Sequence, residues 1–298
     1  AAEAGDTDAQ VNLGILLASK SNPPQLEEAR RWLTAAARSG DISAQVNLGM
    51  LFASRWNPPQ LEEARFWYTA AARSGDPDAQ YRLAVLMLEK LEPPELAEGR
   101  RWLTTAAEAG HSGAQYRLGV LLAIEWDPPQ LEDARRWYTT AAQAGHTGAQ
   151  VGLAILLANQ WDPPHLEEAR RWYTAAARAG HTGAQVNLAI LIATQWDPPE
   201  LNDARDWFTA AAHAGDTDAQ ANLGVLLADQ WDPPQLEEAR RWYTAAAQAG
   251  HIGAQYNLGI LLSERLDPPV LEEACRWLTI AADGGHLQAA HALERLRE

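Results

Sequence analysis

The chain has 298 residues, 47% of them hydrophobic, and a formal net charge of −15. That apolar content excludes a disordered chain, and the acidic balance opposes partnership with nucleic acid or an anionic membrane, both of which reward clustered Lys and Arg. A single cysteine, Cys275, excludes an internal disulfide and leaves the redox compartment open, with a slight lean to the cytoplasm.

Residues 1–5 read AAEAG, letter for letter the same as residues 106–110, which close one of the repeats described next. They are predicted to be the end of a preceding helix, in a polypeptide that extends upstream. From residue 6 the chain repeats every 35 residues without insertion or deletion, marked by Pro-Pro pairs from Pro23-Pro24 through Pro58-Pro59 to Pro268-Pro269. A fixed period of this length is the signature of a solenoid, in which each unit buries its apolar face against its neighbours. Eight complete units fill residues 6–285, and nothing between them resembles a linker, so residues 1–298 are expected to form one repeat domain. The longest apolar runs, such as residues 151–158, reach about one third of the roughly 20 residues a membrane helix needs. No signal peptide is visible.

Within a unit, two helices are predicted. In the seventh unit, residues 216–250, Ala219, Leu223, Leu226 and Leu227 recur at helical spacing. Trp231-Asp232-Pro233-Pro234 ends this first helix, because proline lacks the donor and restricts the residue before it. Asp232 is expected to cap the second helix and Pro233 to be its first residue. Glu237 and Glu238 suit the positive end of its dipole, and Arg240 and Arg241 are placed to pair with Glu237 one turn back. The second helix is expected to bury Leu236, Ala239, Trp242, Tyr243, Ala246 and Ala247, with the recurring tryptophans as wedges and the alanine pairs allowing close approach. Gly250 stops it in the left-handed conformation. The last segment, residues 286–298, carries Glu294, Arg295 and Arg297 at formerly apolar positions and reads as a C-terminal cap helix.

Chemistry-bearing residues are recurrent and therefore structural in this reading. His111, His146, His181, His251 and His286 alternate with Asp6, Asp41, Asp76 and Asp216 at the unit boundary. They lie too far apart for a shared metal, and exchange with Asp points to capping. Cys275 has no local histidine partner, and no phosphate loop, H-E-x-x-H or G-x-S-x-G occurs. No catalytic residue, metal or cofactor is expected. Trp126, Trp161 and Trp196, with Trp56 and Trp231, sit in the turns. They either stack on the prolines or form an aromatic edge for a partner or for self-association.

Ala219, Leu223, Gly224, Ala239, Trp242, Tyr243, Ala246 and Gly250 recur over nearly the whole chain, and this pattern resembles the Sel-one-like repeat family, a relative of tetratricopeptide repeats. Two departures stand out. The family's glycine-rich turn is replaced by a tryptophan–acid–diproline turn one residue shorter, and Leu227, Phe52 or Met87 stands where an aromatic is expected. The resemblance implies an all-α, right-handed α/α superhelical solenoid whose first helices line a concave groove, in adaptor or scaffold proteins rather than enzymes.

On that footing, Asn12, Asn47, Asn187, Asn222 and Asn257 occupy a row from which amides can bond the backbone of an extended peptide; their alternative is bonding to loops or water. The same row holds Arg82 and Arg117, each preceded by a tyrosine, Tyr81 and Tyr116. These doublets suit a carboxylate or phosphate on a peptide, or pair internally with Asp78 or Glu89. The expected function is a non-catalytic protein–protein interaction module. It takes an extended peptide or partner segment, and binds neither nucleic acid nor membrane. The alternative is a structural or oligomerisation scaffold that positions an upstream domain.

Overall fold

Each period folds into two helices, as its spacing predicts. The computed structural model describes residues 1–20, 23–125, 127–160, 163–195 and 198–297, and helices are the only regular elements among them. In chain order they are α1 (Thr7–Ser19), α2 (Leu26–Arg38), α3 (Ile42–Met50), α4 (Leu61–Arg73), α5 (Pro77–Val85), α6 (Leu96–Glu108), α7 (Ser112–Val120), α8 (Leu131–Gln143) and α9 (Thr147–Asn159). There follow α10 (Leu166–Arg178), α11 (Thr182–Thr194), α12 (Leu201–His213), α13 (Thr217–Val225), α14 (Leu236–Gln248), α15 (Ile252–Ile260), α16 (Leu271–Asp283) and α17 (Leu287–Arg297). Odd-numbered helices are the first of each unit. By contacts the chain divides into Ala1–Ala149 and Gln150–Glu298, the division falling in the first turn of α9.

The boundary residues cap the first helices, except His286, whose Nδ1 is buried without a hydrogen-bond partner among the described residues. Asp6, Asp41, Asp76 and Asp216 accept the backbone N–H three residues on, at 2.6–2.9 Å. His111, His146, His181 and His251 do the same through Nδ1, at 3.0–3.2 Å. A histidine can replace an aspartate here because a neutral imidazole also offers one lone pair at the right reach.

The turn between the helices differs from expectation. α14 begins at Leu236, not Pro233, and its N-cap is Gln235, without a side-chain bond. The reason is a tie across the turn: Gln235 N–H donates to the Leu227 carbonyl at 2.8 Å, which holds Pro233 and Pro234 outside the helix. The same bond recurs from Gln60 to Phe52 and from Glu200 to Ile192. Among the described residues, the first helix of five units ends in a wider π turn, as at Leu51–Arg55 and Leu226–Gln230, and the X–Pro bond that follows is cis, as at Asn57-Pro58 and Asp232-Pro233.

The core lies between first and second helices. In Ala1–Ala149 it contains Leu48, Leu83, Met87, Leu103 and Leu121; in Gln150–Glu298, Leu153, Leu157, Leu188, Ile192 and Leu223, none more than 2% exposed. The alanine pairs, such as Ala71-Ala72 and Ala246-Ala247, are buried as expected. The tryptophans are not core wedges: Trp67, Trp102 and Trp242 are half-buried, and the fully enclosed residue is the next one, such as Tyr68, Leu103 or Tyr243. Successive helical residues turn by about 100°, so Tyr243 meets the first helix of its own unit while Trp242 turns toward the preceding second helix, its ring edge-on to His213 at 5.3 Å.

Candidate interaction surface

The residues facing outward from the first helices form the surface on which a partner was expected, and the two parts of the chain furnish it differently. In Ala1–Ala149 it is charged and internally engaged. Arg82 Nε donates to Asp78 Oδ2 at 2.7 Å, and its charge also faces the Tyr68 phenol, whose pKa burial raises to about 12. Arg117 donates to Glu125 at 2.6 Å and reaches Glu89 at 3.2 Å. Pairing with Asp78 and Glu89, the internal option open from the sequence, is therefore present. Burial lowers the affinity of both guanidiniums for their charge, but the hydrogen-bonded carboxylates outweigh it and raise both pKa values. Glu125 was not anticipated, although its place eight residues after Arg117 is two helical turns along one face.

The two tyrosines stack on histidines of the following unit: Tyr81 on His111 with centroids 4.6 Å apart, Tyr116 on His146 at 4.8 Å. His111 Nε2 also lies 3.6 Å from Asp78 Oδ1. Asn12 is exposed on α1, whereas Asn47 is half-buried and its Nδ2 donates to the Ser43 carbonyl one turn back at 2.8 Å.

In Gln150–Glu298 the row is neutral and open. Asn187, Asn222 and Asn257 stand at the same position of α11, α13 and α15, half-buried, and their side-chain amides make no hydrogen bond among the described residues. One turn further along lie Ile155, Ile190, Val225 and Ile260, of which Ile155 is 42% and Ile190 40% exposed. Val186 and Ala221 in the preceding row are buried, and so serve packing between helices.

Trp126, Trp161 and Trp196 lie outside the described residues. Of the turn tryptophans that are described, Trp56 is half-buried against Phe52, ring centroids 5.6 Å apart, and the Arg205 guanidinium lies 5.3 Å from the Trp231 ring centroid. Among the described residues no three His, Cys, Asp or Glu side chains gather as a metal requires, and no helix is long and apolar enough to cross a membrane.

A structural residue missed in the sequence is the glutamine before this row. Gln80, Gln115 and Gln255 are buried, and each Nε2 donates to an alanine carbonyl at the end of the preceding second helix, at 3.0–3.2 Å. Its invariance through Gln10, Gln45, Gln80, Gln115, Gln150, Gln185, Gln220 and Gln255 was the available signal, obscured by its lying next to the apolar Ala position.

The Sel1 repeat family model matches residues 7–41, 42–76, 77–111, 112–146, 148–181, 183–216, 217–251 and 252–286. The chain belongs to the Sel1 repeat family. Two solved structures are similar over nearly its whole length. One is a protective antigen of uropathogenic Escherichia coli displaying an SLR fold, 26% identical, with a TM-score of 0.84 over 98% of this chain; the match spans only 64% of that antigen. The other is a Sel1 repeat protein from Oxalobacter formigenes, 27% identical, with a TM-score of 0.72 over 99% of this chain and 88% of that one. Comparison with curated proteins gives no match. The fold is thus the all-α solenoid of two-helix Sel1 repeats, and proteins of this family generally work as non-catalytic mediators of protein–protein contact.

Proposed function

We propose that the chain is an adaptor or scaffold module that binds an extended peptide or partner segment in a concave groove lined by its first helices. The observation carrying this reading is the trio Asn187, Asn222 and Asn257. Each presents an uncommitted amide at one place per unit, with one acceptor and two donors suited to a peptide backbone. Beside them, the partly exposed Ile155 and Ile190 suit apolar side chains between those anchors. Asn12 and Asn47 occupy the equivalent repeat position in the first part of the chain. There the doublets Tyr81-Arg82 and Tyr116-Arg117 enter as an ion-paired stretch, which an acidic peptide would engage only by exchanging carboxylates with Asp78, Glu89 or Glu125.

The test is a peptide library selected on the whole chain, with affinities measured by fluorescence anisotropy for the wild type and for the Asn187→Ala, Asn222→Ala, Asn257→Ala triple variant. A backbone hydrogen bond contributes about 1 kcal/mol, so the triple variant should bind about a hundredfold more weakly, with its helical spectrum unchanged. Selected peptides that bind both proteins equally well would refute the reading.

A further inference from the structure

The last second helix, α16, departs from its seven predecessors on the side that faces the next unit. Its Cys275 replaces Arg30, Arg65, Arg100, Arg135, Arg170, Arg205 and Arg240. The direction of this position is fixed by three of those arginines: Arg65 pairs with Glu95, Arg170 with Glu200 and Arg240 with Glu273, each partner belonging to the following unit. Ile280 likewise stands where the other units have Ala or Thr. The helix is uncovered here. Thr279 is exposed and Ala282 half-buried, whereas Thr244 and Ala247 on α14 are half-buried and buried.

In every complete unit the first helix carries Gly or Ala where the second helix is seated; a Cβ at Gly259 would come within 2.5 Å of the Leu278 side chain. The matching residue of α17 is Glu294, a long charged side chain that is exposed. What remains is a shallow depression of about 760 Å³ lined by Leu271, Glu272, Cys275, Arg276, Thr279 and Ile280. Leu271 is 49% and Ile280 46% exposed.

We propose that this face of α16 is a homodimer interface, on which a second copy of the chain seats its own α16. Two observations select a second copy. First, the face continues an interface the chain already makes with itself, since the same side of the earlier second helices receives a helix of the same repeat. Second, it is electrically quiet in a protein of charge −15: Arg276 pairs with Glu272 on its own helix at 2.5 Å, and the Arg-to-Cys exchange removes the remaining cation. Two strongly acidic copies approach most easily where neither presents net charge. Leu271, Cys275 and Thr279 are spaced four residues apart along one stripe. Cys275 is at its middle, so any two-fold axis through the stripe's centre sets Cys275 opposite Cys275 of the second copy, whether the helices run parallel or antiparallel. A 13-residue helix is about 20 Å long, which places the contact at the small end of specific interfaces.

The experiment uses the whole chain in sedimentation velocity over a concentration series, together with a short bis-maleimide that joins two thiols. Because Cys275 is the single cysteine, a covalent dimer reports that one pair. The wild type should show reversible dimerisation and cross-link efficiently. Cys275→Arg, which restores the residue of the other seven units, should weaken dimerisation at least tenfold while leaving the helical spectrum and melting unchanged. Thr279→Arg should weaken it similarly and lower the cross-linking yield, a second readout should Cys275→Arg fold poorly. The triple asparagine variant should dimerise normally, which separates this proposal from peptide binding. A wild type that stays monomeric up to about 100 μM, or a dimer that neither cross-links nor responds to both arginine substitutions, would overturn it.

Discussion

Nδ1 of His111 accepts the backbone N–H of Ala114 at 3.0 Å, so the imidazole caps α7 only while that nitrogen is free of a proton. The same relation joins His146 to Ala149 at 3.1 Å, with Tyr116 stacked on the ring and Gly148 packed near it. Protonation removes the acceptor and sets a positive charge at a helix N-terminus, both unfavourable. Burial chiefly, and then the charge of His111, hold the pKa of His146 below the ordinary histidine value, against the opposing effect of its own backbone hydrogen bond. The unfolded chain, at about 6.5, therefore takes up this proton first. Stability that is complete above about pH 6.5 is lost as pH falls from there toward the folded value. His146→Ala should cost about 1 kcal/mol at pH 7.5. His146→Asp, the residue of other boundaries, should shrink the fall in melting temperature between pH 7.5 and 5.5. An equal fall in wild type and His146→Asp would remove this cap as its cause.

Gly224 and Tyr243 set the separation of α13 and α14. A Cβ built on Gly224 would lie 2.5 Å from two ring carbons, so an added side chain must displace the ring. The same place is Ala84, Ala154 and Ala189 in other units, all fully buried, so one methyl is accommodated there by a small shift. Gly224→Ala should thus change stability by less than about 1 kcal/mol, its improved helix propensity offsetting the tight contact. Gly224→Leu should cost about 3 kcal/mol or more by overpacking. Urea unfolding of the two variants checks the contrast, and equal midpoints would show that the ring is not confined by this glycine.

Gln115 makes a different kind of joint. It is 4% exposed, and its Nε2 donates to the Ala107 carbonyl at 3.0 Å, tying α7 to the last turn of α6. Gln115→Glu keeps the shape but replaces the donor by a buried carboxylate facing a carbonyl oxygen. The expected cost is about 2–3 kcal/mol at neutral pH, partly recovered in acid as the carboxyl protonates and becomes a donor again. Hydrogen exchange of the α7 amides should rise in this variant at pH 7.5. Unchanged protection would mean the tie contributes nothing.

These cases also show what was legible in the sequence. Periodicity alone located both helices of each unit, and Asp–His exchange at the boundary revealed the caps because few roles suit both side chains. Reading Trp242 as core failed because hydrophobicity ranks tryptophan first, whereas the 100° step of the helix gave Tyr243 the inward direction. Asp232 looked like an N-cap, but the Gln235–Leu227 bond across the turn moved the start of α14. Such a bond between segments leaves no local pattern. The asparagine row was visible as a row; that Asn47 bonds to Ser43 while Asn187, Asn222 and Asn257 stay uncommitted was not, because it depends on rotamers and on the neighbour one turn back.

Arg240 was expected to pair within its own helix, yet it reaches Glu273 in the next unit at 3.1 Å, and Arg170 binds Glu200 through both terminal nitrogens at 2.9 and 2.6 Å. Arginine is long enough to choose between a partner one turn back and one on the adjacent helix, and the fork geometry favours a carboxylate that can be met with two parallel bonds. Partial burial adds to this: Arg170 and Glu200 side chains are 30% and 31% exposed, against 81% and 52% for Arg136 and Asp133, paired at 3.2 Å within α8. A double-mutant cycle to Ala should give a coupling of about 1 kcal/mol for Arg170 with Glu200 and about 0.3 kcal/mol for Arg136 with Asp133. Raising salt should erase the second more completely than the first, since exposed charges are screened more effectively. Equal couplings would mean that the bond between units is no stronger than an ordinary surface pair, and that its recurrence at Arg65–Glu95 contributes to orientation rather than to stability.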